Sequence, residues 1–303
     1  MTSDPLIELL DRAIPESRGT VGYVPSRLPG LGVVRQVSST PIEATVYEPV
    51  LCLILRGRKR TFAGAVSVDF GPGESLIVSH DLPVVSQVTE CPYLALILSL
   101  DIGILRSVGE QIEEHSLQPG GASALAVGAA DERLIEALGR YVSLSHDPVE
   151  ARILGPLVLK EILFRLFNAP HGGMLRNLLH ADSTASQIHR AVGVIRRNFR
   201  AGVSVPDLAR RSGMSESAFY RSFKAITGTT PLRYLKAMRL LEARRLLLTE
   251  GYGVTEAALA VGYASPTQFS REYSREFSVP PKVHANGAAA AAGRTSMERM
   301  TTA

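Results

Sequence analysis

Two stretches of this 303-residue chain repeat one another. The first, SVPDLARRSGMSESAFYRSFKAITGTTP, covers 204–231, and the second, GVTEAALAVGYASPTQFSREYSREFSVPP, covers 253–281. Leu208-Ala209 match Ala257-Ala258, and Gly213 matches Gly262, at an offset of 49; Phe219 matches Phe269 and Pro231 matches Pro281 at 50. The second copy therefore carries one extra residue in its turn. A repeat of this kind means one supersecondary unit used twice.

Each copy has the same physical logic. A short helix presents a small residue, Ala209 or Ala258, where a second helix must cross closely. A glycine follows, Gly213 or Gly262, where the backbone turns left-handed at little cost. Ser215, or Ser265 with Pro266, then starts the second helix. On that helix Phe219 and Phe223, or Phe269 and Tyr273, recur at i and i+4 as a buried face. Ser217, Tyr220 and Arg221, or Thr267, Gln268, Ser270 and Arg271, occupy the other face. This is the pattern of a helix-turn-helix, whose second helix lies in the major groove of double-stranded DNA. Between the copies, 232–248 has no Gly or Pro and predicts one helix of about 25 Å, a spacer for two reading helices about one DNA turn apart. Arg233, Lys236, Arg239, Arg244 and Arg245 on it are either phosphate contacts or solvated charge.

Charge agrees with this reading. Residues 183–283 hold 16 Lys+Arg against 7 Asp+Glu, a balance of +9; the remainder holds 17 against 22, a balance of −5, and the two make the net +4. A basic segment on an otherwise acidic chain suits a polyanion partner.

The first half has a different texture. Short β-rich runs at Val33-Val34, 44–47, 51–55, 65–68, 76–78, 84–88 and 93–100 are separated by turn signals at Arg56-Gly57, Ala63-Gly64, 71–73 and 81–83. Such spacing predicts a sandwich or jelly-roll barrel. Helical periodicity follows at 102–116, 131–143, 149–167 and 174–179. The stretch 153–167 is apolar on more than one face, as core or as a subunit contact. Residues before about 25 read as a loose leader with a short helix near 5–13, and the tail from about 284 reads as disordered.

The stretch GYASPTQFSREYSREFSVPP, with the upstream LARRSGMSESAFYRSFK, resembles the AraC/XylS family of bacterial transcription regulators. The resemblance implies a seven-helix domain whose two helix-turn-helix units read adjacent major grooves. The family's recognition positions fall on Ser217, Tyr220 and Arg221 in the first unit and on Thr267, Gln268, Ser270 and Arg271 in the second. Ser278-Val279 depart from the family, which often has glycine after the aromatic; the departure should matter to the helix cap more than to DNA contact. The segments TPIEATVYEPVLCLILRGRKRTFAG, GPGESLIVSHDLPVVSQVTE and CPYLALILSLD are similar to the cupin-like N-terminal domain of one AraC subgroup, which implies a regulatory and dimerisation role. The expected fold is α+β: a cupin-like β-barrel with trailing helices over 26–180, then an all-α DNA-binding domain with two helix-turn-helix units over 183–283. The latter is expected to fold and bind DNA alone. A homodimer, contact with RNA polymerase and a small-molecule effector accompany that expectation.

Other classes are disfavoured. A metal-binding cupin needs converging histidines and a carboxylate, and the barrel segment offers His80 alone, with His115 already among the helices. No cofactor fingerprint or catalytic motif is present, so neither a cofactor nor an enzyme is expected; the rival is a cupin-type enzyme with an accessory nucleic-acid module. Glu74-Ser75 and His80-Asp81 read as turn chemistry. No apolar run spans a bilayer, and Asp4, Glu8 and Asp11 stand where a signal peptide needs positive charge, so a cytoplasmic protein is expected. The two cysteines, Cys52 and Cys91, form no disulfide framework. Cys52 lies before Arg56, Arg58, Lys59 and Arg60, cations that lower a thiol pKa if they fold back beside it. It reads either as an effector-sensing thiol, like Cys91, or as a small core residue.

Overall fold

The computed structural model describes residues 4–111, 123–180 and 182–286. The chain forms two compact units, one of Met1–Val192 with Ala218–Thr229 and one of Gly193–Ser217 with Thr230–Ala303.

The first unit is built on an antiparallel sheet of eight strands: β1 (Gly22–Pro25), β2 (Leu31–Gln36), β3 (Glu43–Tyr47), β4 (Val50–Ala63), β5 (Val66–Phe70), β6 (Glu74–Val78), β7 (Leu82–Ser99) and β8 (Leu125–Ala129). They run in the order β1-β2-β7-β4-β6-β8, with β3 also on β7 and β5 also on β4. One of the turn signals, Arg56-Gly57, proves to be a bulge inside a long strand. Gly57 takes φ +74, and a side chain there would stand 2.3 Å from the Glu90 carbonyl. The register of β4 on β7 slips between Ile54 and Lys59, and Pro92, which has no N–H for the ladder, sits across from the slip. Bulges bend a strand, so β4 pairs with β6 at 50–53 and with β5 at 59–63. In the same way β7 serves β3 at one end and β2 at the other.

Leu51, Cys52, Leu53, Ile54 and Leu55 are all buried, so both faces of this stretch are covered. His80 belongs to the core, not to a turn. It is fully buried, with Nδ1 2.8 Å from Ser79 Oγ and Nε2 donating to the Ala185 carbonyl at 3.2 Å. Glu74 does act as turn chemistry, its Oε2 accepting from Gly71 N at 2.8 Å.

Helices α1 (Asp4–Ala13), α2 (Ile102–Gly109), α3 (Glu132–Ser143), α4 (Pro148–Asn168) and α5 (Gly173–Asn177) accompany the sheet. The expected loose leader is instead packed: Leu6, Ile7 and Leu10 bury one face of α1, which lies on α3, and β1 pairs with β2. The helix expected over 102–116 is observed to residue 109, and 112–122, with His115, lies outside the described residues, as does the tail from 287. Strand β8 was not anticipated; LAVGA has only small alternation and finds its place by pairing with β6. Helix α4 is apolar on two sides. Gly155, Ile162, Leu163, Leu166 and Phe167 are buried, whereas Ile153 and Leu157 remain 60% and 59% exposed, with Val149 and Phe164 on the same outward side. The start of α6 (Thr184–Asn198) and most of α8 (Glu216–Thr227) also pack in this unit. Ala124 N donates to the Ile226 carbonyl at 2.8 Å and Ala65 N to the Gly228 carbonyl at 3.1 Å.

The second unit contains α7 (Val205–Arg211), α9 (Pro231–Thr249), α10 (Val254–Ala260) and α11 (Pro266–Phe277). Its core joins Leu240, Ala243, Leu246 and Leu247 of α9 to Ala257, Ala258, Val261, Tyr263, Phe269 and Tyr273. No helix among the described residues is long and apolar enough to cross a membrane.

Candidate nucleic-acid interface

The turns of the two repeats are built alike. Gly213 and Gly262 both have positive φ, +63 and +88. Met214 N donates to the Ala209 carbonyl at 3.0 Å, and Tyr263 N to the Ala258 carbonyl at 2.9 Å. The extra residue of the second copy falls where expected: α8 starts three residues after Gly213, and α11 four after Gly262. Ser265 Oγ caps α11 by accepting from Gln268 N at 3.2 Å, Pro266 occupies the first turn, and Thr230 caps α9. Space at the two glycines differs. A Cβ on Gly213 meets nothing within 4 Å, whereas one on Gly262 would lie 2.3 Å from the Arg200 carbonyl.

The aromatic positions anchor each second helix. Phe219 and Phe223 are fully buried with ring centroids 5.7 Å apart, and Phe269 stacks against Tyr263 at 5.3 Å and Tyr273 at 5.4 Å. That burial decides what the opposite faces present. On α8, Ser217 and Arg221 are exposed and Tyr220 is half-buried; Ser217 Oγ lies 3.3 Å from Ser215 Oγ. On α11, Thr267, Gln268 and Arg271 are exposed, while half-buried Ser270 donates its hydroxyl to the Pro266 carbonyl at 2.9 Å. Each helix thus brings its sequence-predicted residues onto one face. The sheet cysteines are elsewhere: Cys52 pairs in register with Ile97, six residues beyond Cys91 on β7, about 20 Å at strand rise.

The cations divide into two groups. Lys236 is paired with Glu272 at 2.8 Å, Arg245 with Glu242 and Glu250 at 2.9 and 2.7 Å, and Arg239 donates to the Phe199 carbonyl at 2.7 Å. Arg244 lies over the Phe277 ring at 5.3 Å. Four of the five α9 cations therefore hold the unit together. Arg233 on α9, Arg221 and Arg271 are exposed and make no ion pair among the described residues. Guanidinium groups left without an internal partner at matching positions of two anchored helices can pair bidentately with guanine.

Sequence reasoning missed the buttress under Gln268. Glu272 accepts from Gln268 Nε2 at 3.1 Å, Tyr263 OH at 2.8 Å and Lys236 Nζ at 2.8 Å. Burial alone would raise this carboxyl, but those three donors outweigh it and hold it below the usual carboxylate range. The i, i+4 spacing of Gln268 and Glu272 was the available signal.

Residues 27–174 match the family model described as AraC-type transcriptional regulator N-terminus, and 208–286 match a helix-turn-helix domain. The chain belongs to the AraC/XylS family. The HTH-type transcriptional activator RhaS of Yersinia pestis bv. Antiqua (strain Angola) is 29% identical over 136 residues, 45% of this chain and 48% of that protein. RhaS of Yersinia pestis (strain Pestoides F) is 33% identical over 101 residues, 33% and 37% of the two chains. The chain thus spans about half or less of the length of these curated relatives. In fold it is similar to unsaturated fatty acid bound ToxT from Vibrio cholerae strain SCE256, with a TM-score of 0.55 over 84% of this chain and 93% of that one at 12% identity.

The departure of this AraC/XylS chain at Ser278 has a structural counterpart. Ser278 caps α11 with φ +58, the left-handed region, where the first repeat has Gly228 at φ +75. That conformation costs a non-glycine residue about 1–2 kcal/mol, against the ~0.4–1 kcal/mol that glycine's extra unfolded freedom costs. Ser278→Gly should therefore stabilise the second unit by roughly 0.5–1 kcal/mol. Urea melts of the full chain check this, and an unchanged or lower midpoint contradicts it.

Proposed function

We propose that this chain is a sequence-specific DNA-binding transcription regulator. Helices α8 and α11 read the duplex through Ser217, Tyr220, Arg221, Thr267, Gln268, Ser270 and Arg271, and the N-terminal unit answers to an effector. The observation carrying this is the pair Arg221 and Arg271, exposed and without an ion pair among the described residues at repeat-equivalent positions, while four of the five α9 cations are engaged. The chain works in the cytoplasm without catalysis, and RNA polymerase is its partner at promoters. That ToxT is seen with a fatty acid supports a small molecule as the effector; the thiols support an electrophile less well. Cys52 is buried, and burial raises its thiol with only partial relief from Lys59, while Arg58 and Arg60 turn away to Asp69 at 3.2 and 2.8 Å. Cys91 is half-buried before Pro92. In vitro selection of bound duplexes, followed by mapping of the sites across the genome, tests the reading. A protein with no preference over random duplex at physiological salt refutes it.

The outward stripe of α4 supports a homodimer. Val149, Ile153, Leu157 and Phe164 form an exposed apolar row, larger than a solvated helix face ordinarily carries. The double variant Ile153→Asp with Leu157→Asp should convert a micromolar dimer to a monomer in sedimentation. Affinity for a two-half-site operator should drop tenfold or more, because tethering raises effective concentration. A wild type that is already monomeric on and off DNA sinks the dimer.

A further inference from the structure

Gln268 is the third residue of α11, in the first turn, the part of a reading helix that reaches base edges. Its side chain is exposed, yet one end of it is tied. Nε2 donates to Glu272 Oε1 at 3.1 Å, one helical turn further on. Two other elements fix that carboxylate. Lys236 Nζ of α9 donates to the same oxygen at 2.8 Å, and Tyr263 OH, from the turn before α11, donates to Oε2 at 2.8 Å. Only 12% of the Glu272 side chain is exposed. Tyr263 is itself buried, its ring stacked on Phe269 at 5.3 Å, so the clamp rests on the core of the second unit.

Side-chain chemistry then decides which way the amide faces. Burial pushes the Glu272 carboxyl up, but the bonds from Lys236, Gln268 and Tyr263 outweigh it, and the group stays ionised. An ionised carboxylate only accepts hydrogen bonds. Turning the amide over would set the Gln268 oxygen against it, two acceptors with no proton between them. The NH2 is therefore held inward. An amide has two N–H groups and one oxygen. With one N–H given to Glu272, the oxygen and one N–H remain, and neither makes a bond among the described residues.

The four bases match that remainder unequally. In the major groove adenine shows the N6 donor beside the N7 acceptor, the complement of one acceptor and one donor. Guanine shows two acceptors, which call for both N–H groups; thymine shows one acceptor and a methyl, and cytosine one donor. Adenine alone engages both free groups. We propose that Glu272 is a positioning residue for specificity, holding the Gln268 amide so that α11 selects adenine at one position of the operator. This role rests on α11 being a reading helix, as proposed above. The first repeat lacks the device, since Met214, Ala218 and Ser222 stand where Tyr263, Gln268 and Glu272 do. The adenine therefore belongs to the part of the site that the second unit covers.

Binding of the full chain to operators carrying each of the four bases at every position in turn tests this. At the position where Gln268→Ala loses discrimination, the wild type should prefer adenine by at least about fivefold. 7-Deazaadenine there, which lacks the N7 acceptor, should weaken binding by a similar factor. Glu272→Met keeps the length and removes the acceptors; it should flatten the preference at that position and leave the other positions as they were. Glu272→Gln should retain the preference, because the Lys236 ammonium draws the amide oxygen to the place of Oε1, where it still accepts from Gln268. A merely structural carboxylate would cost stability and leave base preference alone. If Glu272→Met fails to fold by circular dichroism, Tyr263→Phe with Glu272→Met, which leaves no orphaned hydroxyl, takes its place. Another base preferred at the Gln268 position, or an adenine preference that survives removal of the carboxylate, overturns the proposal and leaves α11 standing as a reader. A Gln268→Ala variant that changes preference nowhere removes Gln268 from the reading residues, and the role of Glu272 falls with it.

Discussion

Replacing Arg221 and Arg271 together with alanine should weaken operator binding at least a hundredfold while changing binding to unrelated duplex by less than tenfold. Each guanidinium is exposed, lacks an internal ion pair among the described residues, and sits on a helix fixed from behind by a buried aromatic pair. A bidentate arginine–guanine contact discriminates by roughly 1–3 kcal/mol, so each single variant should lose about ten- to a hundredfold. The two sites lie on different helices and share no partner, so their losses should nearly add. Neither truncation removes a structural contact, so the melting temperature should stay put. The contrast is Lys236→Ala, which removes a donor from Glu272 and should cost stability and disturb Gln268 before it costs a phosphate contact. Footprints and salt titrations on the selected operator separate these. If both arginine variants keep full operator affinity, α8 and α11 do not read bases through them.

Much of the second unit was legible because its determinants are local. Glycine at the turn, serine at the cap and aromatics at i, i+4 each specify geometry within a few residues, and Gly262, Ser265, Phe269 and Tyr273 all behave as their types require. The barrel was legible in outline only. Gly57 and Pro92 are turn-forming types whose signal is correct about the backbone, but a bulge and a turn begin with the same residues. Only pairing across β4 and β7 decides between them. The inward Lys59 was hidden for a related reason: in the run Arg56, Arg58, Lys59, Arg60 alternation cannot be phased until the bulges are known. Helix α8 shows the same limit. Its sequence groups it with the DNA-binding repeat, yet Ile226 and Gly228 give their carbonyls to Ala124 and Ala65 of the first unit. An isolated 183–283 fragment would leave those bonds to water, and the full chain is the better material for every test above.

Acid should destabilise the first unit well before its carboxylates titrate. His80 is fully buried, and burial, with the His189 ring 5.2 Å away, pushes its pKa down to about 3, the Ala185 carbonyl offsetting only part. Burial also lowers His171 and His189; for His189, Asp81 pulls upward while Arg106 and Arg190 push down. In the unfolded chain a histidine takes its proton near pH 6.5. Between pH 6.5 and about 3 the unfolded state therefore holds a proton that folded His80 refuses, and stability falls as pH falls through that window. One such group costs about 1.4 kcal/mol per pH unit, so His80 alone removes roughly 2 kcal/mol by pH 5, with His171 and His189 adding in the same direction. Nε2 of His80 carries the proton given to the Ala185 carbonyl in the first turn of α6. Charging the ring would add a second proton at Nδ1, where Ser79 Oγ now sits at 2.8 Å, and loosen the seat of that helix. Urea melts at pH 7.5, 6.5, 5.5 and 5.0 should show a midpoint that declines steadily below 6.5. His80→Gln keeps a polar group in place and cannot titrate. Whatever its absolute stability, its slope against pH should be shallower by about 1.4 kcal/mol per unit. A variant slope equal to that of the wild type would place the acid sensitivity elsewhere.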